Sequence, residues 1–445
     1  MTNRDKPTNQ YLPKSSDSRL LGNAYIRAVN QAKIVDLFRS GNQLSRTDIA
    51  RLCNLTKPTV SAIVETLIGE GVLMDAGMGP SEGGRRARLL EFNPASATFI
   101  GIHFGEETTH VAVTDALGRM LTRLTTPTVA GNPDDSLKAA MTLLDRAMSE
   151  AGKQRNQITA VGISVPGLVD RQSGAIKIAP NLGWRDYPLS QEVSRLLNVD
   201  VFVANTTQNA ALAEHQMGVA RGLQNFVWVY VGRGVGSCAV IGGRIQLGTR
   251  GFAGEIGHCK TETPGILCGC GKRGCLETTC ANPAIAREAQ KAVDAGQPTT
   301  LSSIEKKITA RDVSIAASEG DALAQEIMMN AGHALGQGVS ILLNIFDPEM
   351  IVIGGPVAGS DEFFLEGLRQ EATINSLESC GAEIVFSHLG SDIYLMGAVL
   401  MAMDQSNAAY RIVKTTRTLD EQSNEQSNEY SPERTVRLDG VNDEY

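Results

Sequence analysis

Gly254-Glu-Ile-Gly-His-Cys-Lys-Thr-Glu-Thr-Pro-Gly-Ile-Leu-Cys-Gly-Cys-Gly-Lys-Arg-Gly-Cys-Leu-Glu277 is the stretch whose reading decides the rest. It sets His258, Cys268, Cys270 and Cys275 in the order His-x9-Cys-x-Cys-x4-Cys. Three thiolates and one imidazole form a four-coordinate set for Zn2+. The single residue between Cys268 and Cys270 confines both to one turn. Gly269, Gly271 and Gly274 allow the positive φ values that such a knuckle needs. Four protein ligands leave no open position, so the site reads as structural rather than catalytic. Lys272 and Arg273 can offset the one net negative charge of the loaded set. The plainer alternative is a group of free or disulfide-bonded cysteines, with Cys259 and Cys280 as spare thiols nearby. Glu255 and Glu277 flank the ligands without being needed by zinc. Two carboxylates fixed beside a rigid loop can accept hydrogen bonds from a polyol.

Composition sets bounds around this stretch. The chain has 445 residues, room for two or three domains, with 42% hydrophobic and 5% aromatic residues. No apolar run is long enough to span a membrane, and the polar start lacks an apolar signal core. Eight cysteines, half of them in a metal pattern, fit a reducing cytoplasm. The net charge of −8 argues against a general nucleic-acid binder. Residues 21–95, however, carry nine Lys or Arg against seven Asp or Glu, a balance of +2 on an otherwise acidic chain. That is compatible with a small DNA-reading module.

The order of elements supports such a module. Residues 1–20 are polar and read as a loose arm. Ile26, Val29, Ile34, Leu37 and Phe38 recur at helical spacing, and Gly41 ends that helix. Ser45-Arg-Thr-Asp48 is a capping box opening a short helix to about Leu52, with Ile49 and Leu52 inward. Asn54 suits the left-handed turn that follows. Thr56 caps a third helix with Pro58 in its first turn and a buried stripe of Val60, Ile63, Val64 and Leu67. Thr56, Lys57, Pro58, Thr59 and Ser61 are left at the exposed start, the face a helix-turn-helix presents to base edges. A strand from Gly71 to Asp75, a glycine-rich tip at 77–84 and a return strand from Arg85 to Phe92 make a hairpin. Arg85, Arg86 and Arg88 then sit on a wing, where cations reach phosphate or the minor groove. An ordinary three-helix bundle with a charged hairpin is the alternative.

Further on, strand-like runs at 99–104, 111–114, 160–165, 200–204, 226–231, 239–241 and 350–353 alternate with helical stretches at 136–151, 187–197 and 323–345. This predicts an α/β body with crossover helices. The tail after 410, with Glu421-Gln-Ser-Asn-Glu-Gln-Ser-Asn-Glu429, is low in complexity and is expected to be disordered.

The 254–277 stretch closely resembles the signature of the ROK family, which holds sugar kinases and sugar-responsive repressors. The resemblance implies a two-lobed, actin-like sugar kinase body over 94–409, with its second lobe from about 200 and a zinc loop at 258–275. It also implies a winged helix-turn-helix over 21–93. In the family, zinc shapes a sugar pocket, with contacts that fall here on Glu255, His258 and Glu277. The imidazole of His258 would then serve twice, one nitrogen on zinc and the other on a sugar hydroxyl. Gly167, by its backbone, and Asn205 are implied as further contacts, as is Asn181 in the Pro180-Asn-Leu-Gly-Trp184 loop. Thr206 can donate one hydrogen bond.

The phosphate-handling motifs depart from the family's kinases. Where a kinase has Gly-Ile-Asp-Ile-Gly-Gly-Thr-Lys, this chain reads Gly101-Ile-His-Phe-Gly-Glu-Glu-Thr108, with His103, Glu106 and Glu107 as the changes. Two carboxylates in a phosphate cradle repel a polyanion. The catalytic Asp of the kinases is replaced by Thr206, which cannot act as a base near neutral pH. Gly162-Ile-Ser-Val-Pro-Gly-Leu-Val-Asp170, Gly232-Arg-Gly-Val-Gly236 and Ile353-Gly-Gly355 keep the family's glycines, but Arg233 replaces a hydroxyl residue. The expectation is a cytoplasmic, non-enzymatic repressor, a homodimer or homotetramer, binding operator DNA and a sugar or sugar-phosphate effector. The alternatives are an ATP-dependent hexose or N-acetylhexosamine kinase, and a sugar-binding protein without DNA function.

Overall fold

The computed structural model describes residues 18–39, 41–80, 86–356, 361–377 and 381–406, and side chains from residue 26 onward. Arg85 and the 410–445 tail lie outside these residues, as does most of the 1–20 arm.

The head begins with α1 (Ser18–Arg39), which starts inside the stretch read as an arm. Then come β1 (Leu44–Ser45), α2 (Arg46–Leu52), α3 (Lys57–Gly69), β2 (Leu73–Met78) and β3 (Arg88–Phe92). The capping box forms as the sequence predicts: Ser45 accepts from the Asp48 amide and Asp48 accepts from the Ser45 amide. Asn54 takes the left-handed turn at φ 53°. Ile34, Phe38, Ile49, Val60, Ile63, Val64 and Leu67 meet in one buried cluster, continued by Val72, Leu73, Leu90 and Phe92 from the hairpin. Two expected core positions are corrected. Ile26 and Leu52 are more than half exposed. Leu52 closes a helix only two turns long, and the fold buries Ile49 and Ala50 from that helix instead. The return strand starts at Arg88 rather than Arg85.

The first lobe contains β4 (Thr98–Phe104), β5 (Thr108–Asp115), β6 (Met120–Pro127), α4 (Pro133–Glu150), β7 (Ala160–Val165), β8 (Leu168–Val169), β9 (Ile176–Ala179), β10 (Trp184–Tyr187), α5 (Leu189–Leu197) and β11 (Asp200–Asn205). The second follows with α6 (Thr206–Met217), β12 (Phe226–Val231), β13 (Val235–Ile241), β14 (Arg244–Ile245), α7 (Glu277–Cys280), α8 (Asn282–Asp294), α9 (Ala310–Ser318), α10 (Ala322–Phe346), β15 (Met350–Gly354), α11 (Glu362–Asn375) and β16 (Glu383–Phe386). The last element is α12 (Ile393–Gln405).

Each lobe is built on a five-stranded sheet, ordered β11-β7-β4-β5-β6 and β14-β13-β12-β15-β16. The two sheets share one plan. Three consecutive strands form an antiparallel meander, and two later strands add in parallel to its first strand. Their central strands are buried on both faces, as parallel strands under helices require. The C-terminal α12 returns to the first lobe and lies on β4, β7 and β11 beside α6. It comes so close that a Cβ on Gly162 would lie 1.8 Å from the Ala398 carbonyl oxygen. Glycine is therefore required there for close helix–sheet approach.

Candidate functional site

The loop after β14 brings the predicted ligands together. The ligand atoms of His258, Cys268, Cys270 and Cys275 all lie within 4.8 Å of one another. Cys270 Sγ and Cys275 Sγ are 3.7 Å apart, as are Cys268 Sγ and His258 Nδ1. A tetrahedron of metal–sulfur bonds of about 2.3 Å has edges of about 3.8 Å. The four side chains therefore fit a tetrahedral cation of zinc's size. Cys259 and Cys280 are outside this group; Cys259 is exposed and Cys280 is buried in the core.

Local backbone explains the clustering. Cys268 donates its amide to the Lys272 carbonyl at 2.7 Å, and Gly271 returns one to Cys268 at 2.9 Å, closing the knuckle. Gly271 and Gly274 adopt φ of 86° and 79°. Gly269 does not take a positive φ, so that part of the glycine reading is corrected: the turn is carried by the other two. Lys260 bridges Cys275 and Leu267 bridges Arg273, tying the loop's two arms together. Leu276 anchors it by filling the space left by Gly338 on α10.

The imidazole is oriented for two tasks. Its Nδ1 faces Cys268, while Nε2 lies 3.9 Å from Glu255 Oε2. Glu277 Oε1 is 3.6 Å from Nδ1 and accepts from the Cys268 thiol at 2.8 Å. Burial raises the Glu255 carboxyl above its usual range, and the nearby Glu277 adds to the shift against the pull of His258. Two carboxylates and one imidazole edge thus converge beside the metal set.

Elements facing this cluster carry the remaining predicted residues. Gly167 precedes β8 with φ 101°. Asn205 is buried and caps α6, its Oδ1 accepting from the Gln208 amide at 2.9 Å. Thr206, half-buried, is the first residue of that helix. The loop running up to Glu255 is sewn to both elements. Gln208 Nε2 donates to the Gly251 carbonyl at 3.0 Å, and the Arg171 amide to the Arg250 carbonyl at 3.2 Å. Asn181 is differently engaged: its amide donates to Glu106 at 2.5 Å. Trp184 packs edge-on against Phe104 at 5.2 Å and is buried.

The residues that replaced kinase positions are well placed to be read. His103 is buried, stacked on Tyr394 at 5.1 Å and on His110 at 5.9 Å. Burial, and then the charge of His110, lowers its pKa to about 3, so it is neutral. Glu106 lies 3.8 Å from Arg233 of the opposite lobe. Glu107 is exposed. Sequence reasoning missed Tyr230, whose hydroxyl occupies the floor of the 232–236 loop: a Cβ on Gly232 would lie 2.1 Å from it. An aromatic residue in a buried strand reads as core, and nothing in its spacing says otherwise.

In the head, Thr56, Lys57 and Pro58 are exposed, and Thr59 and Ser61 half-buried, at the start of α3. Thr56 Oγ1 and Thr59 Oγ1 are hydrogen-bonded at 2.8 Å. Arg86 is exposed. Arg88 pairs with Asp75 across the hairpin, so it is not a free wing cation.

The family model described as "ROK family" matches residues 99–405, and one for an IclR helix-turn-helix domain matches residues 29–74. The chain belongs to the ROK family. A xylose repressor from Caldicellulosiruptor bescii is 30% identical over 85% of this chain and 96% of its own length. The DNA-binding transcriptional dual regulator NagC of Escherichia coli K12 is 29% identical over 79% of this chain and 86% of its own. Among solved structures, a ROK family transcriptional regulator homologous to the E. coli Mlc protein superposes with a TM-score of 0.76 at 26% identity, covering 87% of this chain and 97% of that one. A ROK hexokinase from Thermus thermophilus matches at 0.58 and 30% identity, over 68% of this chain and 97% of its own. This ROK protein therefore shares its body with the family's kinases, and head and body together with its transcriptional regulators. No helix among the described residues is long and apolar enough to cross a membrane.

Proposed function

We propose that this ROK protein is a cytoplasmic, non-enzymatic repressor that binds operator DNA through its head and releases it when a sugar or amino sugar, free or phosphorylated, fills its body. One observation carries the reading: a cluster suited to hydroxyls stands beside a metal-binding loop, while the phosphate loop is filled by the chain's own side chains.

Zn2+ would be held by His258 Nδ1, Cys268, Cys270 and Cys275, and would supply rigidity rather than reactivity. Glu255, Glu277 and the Nε2 edge of His258 would grip the sugar hydroxyls. Gly167 by its backbone, Asn205 and Thr206 would complete the pocket, with Asn181 at its edge. Buried polar groups that lose their partners when a hydroxyl is missing are what give such a site its selectivity. A second copy of the chain would align two heads with two half-sites one helical turn apart. Lobe closure over the sugar would change that spacing, a shift driven by the effector's preference for the closed form. Lys57, Thr59 and Ser61, with Thr56 and Pro58 fixing the helix start, would meet bases, and Arg85 and Arg86 phosphates.

The test is a thermal-shift screen with pentoses, hexoses, N-acetylhexosamines and their phosphates, followed by mobility shift on DNA flanking the gene. A hit should raise the melting temperature and weaken the DNA complex. ATP-dependent phosphorylation of any of these sugars at ordinary kinase rates would reject the reading.

A further inference from the structure

Two of the departures from the kinase pattern come from opposite lobes and meet. Glu106 lies in the turn between β4 and β5, and Arg233 in the turn between β12 and β13. Arg233 Nη1 and Glu106 Oε2 are 3.8 Å apart. The other carboxylate oxygen, Oε1, takes the Asn181 amide at 2.5 Å. Beneath the pair, the Tyr230 hydroxyl fills the loop floor and accepts the Arg233 amide. Tyr230 is itself fixed by ring contacts to Trp228 at 6.2 Å and to Tyr394 of α12 at 6.1 Å. The turn that would cradle a phosphate therefore has its amide, its floor and its cation all engaged from within.

We propose that Glu106 and Arg233 form a clasp across the cleft, braced by Asn181 and Tyr230, that takes the place of a nucleotide in setting the separation of the two lobes. A bound nucleotide bridges two lobes by presenting anionic oxygens to both. Here a carboxylate carried by the first lobe meets a guanidinium carried by the second. The pair is partly exposed, so its own strength is modest. Its effect lies in where it acts: the two turns are at the mouth of the cleft, where a small contact limits a large opening. Effector binding then works against a fixed starting separation. This last point rests on the sugar-responsive reading; the clasp itself does not.

The experiment uses the full-length, metal-loaded protein without effector. Glu106→Gln keeps the Asn181 contact and removes the charge; Arg233→Gln removes its partner. Each should raise amide hydrogen exchange in residues 104–108 and 232–236 on the order of 2- to 5-fold, leaving the zinc loop unchanged. The charge-exchanged pair Glu106→Arg with Arg233→Glu should restore protection in both turns. Arg233→Lys, which keeps the cation on a different head group, should fall between wild type and Arg233→Gln. Exchange in both turns indistinguishable from wild type in the single variants would overturn the clasp. So would an exchanged pair no better protected than the worse single variant at an equal melting temperature. Neither result touches the sugar-responsive reading, which stands or falls on the ligand screen.

Discussion

His103 shows how one residue changes what a strand can do. A carboxylate at this place could manage a metal; a buried neutral imidazole between Tyr394 and His110 cannot attract one through charge. Because burial lowers its folded pKa to about 3, from 6.5, the neutral form is favoured in the fold. Its contribution is complete above the unfolded value near 6.5 and is lost as pH falls from there toward 3. Each pH unit in that window removes about 1.4 kcal/mol, on the order of 4 kcal/mol in all. Urea unfolding at pH 7, 5.5 and 4 should show this slope, and His103→Gln should make it shallower by about one proton. An unchanged slope in the variant would refute the assignment. The four cysteine and histidine ligands were legible in the sequence because their spacing already fixes a turn. Asn181 was legible only as a family position; the structure gives its amide to Glu106 instead, a partner 75 residues away that no local pattern announces.

At the scale of elements, what could be read depended on whether one face was buried. The stripe of α3 and the alternation of strands with helices stood out. The edge strand β6 alternates exposed with half-buried positions and carries little apolar signal. The helix α12 escaped for the opposite reason: nine of its thirteen residues are buried, so it has no polar face to set a period. Its seat on the first sheet depends on Gly162, where a side chain would run into the Ala398 backbone. Gly162→Ala should therefore destabilise the first lobe by about 1–3 kcal/mol, since close-packed backbone relaxes poorly. The expected reading is a lower first melting transition and faster proteolysis near α12. A wild-type melting profile would mean that the helix can slide to make room.

At the scale of the whole molecule, the duplicated sheet plan, the head and the metal loop have separate stabilities that the effector must link. Stripping the metal by chelation, verified by elemental analysis, should lower the melting temperature and weaken both effector stabilisation and operator binding. Full retention of effector and operator binding in a verified metal-free sample would remove the loop from the signalling path. The lobe plan was legible as alternating elements, but the crossing of α12 from the end of the chain to the first sheet was not, because nothing local marks a partner three hundred residues back. That crossing has a consequence for biosynthesis. The head and all five strands of the first sheet leave the ribosome long before the helix that covers them, so the half made first is the half finished last. Chains cut short before residue 393 should present a folded reader of DNA on a body whose first sheet still lies open, and quality control has that bare surface to recognise.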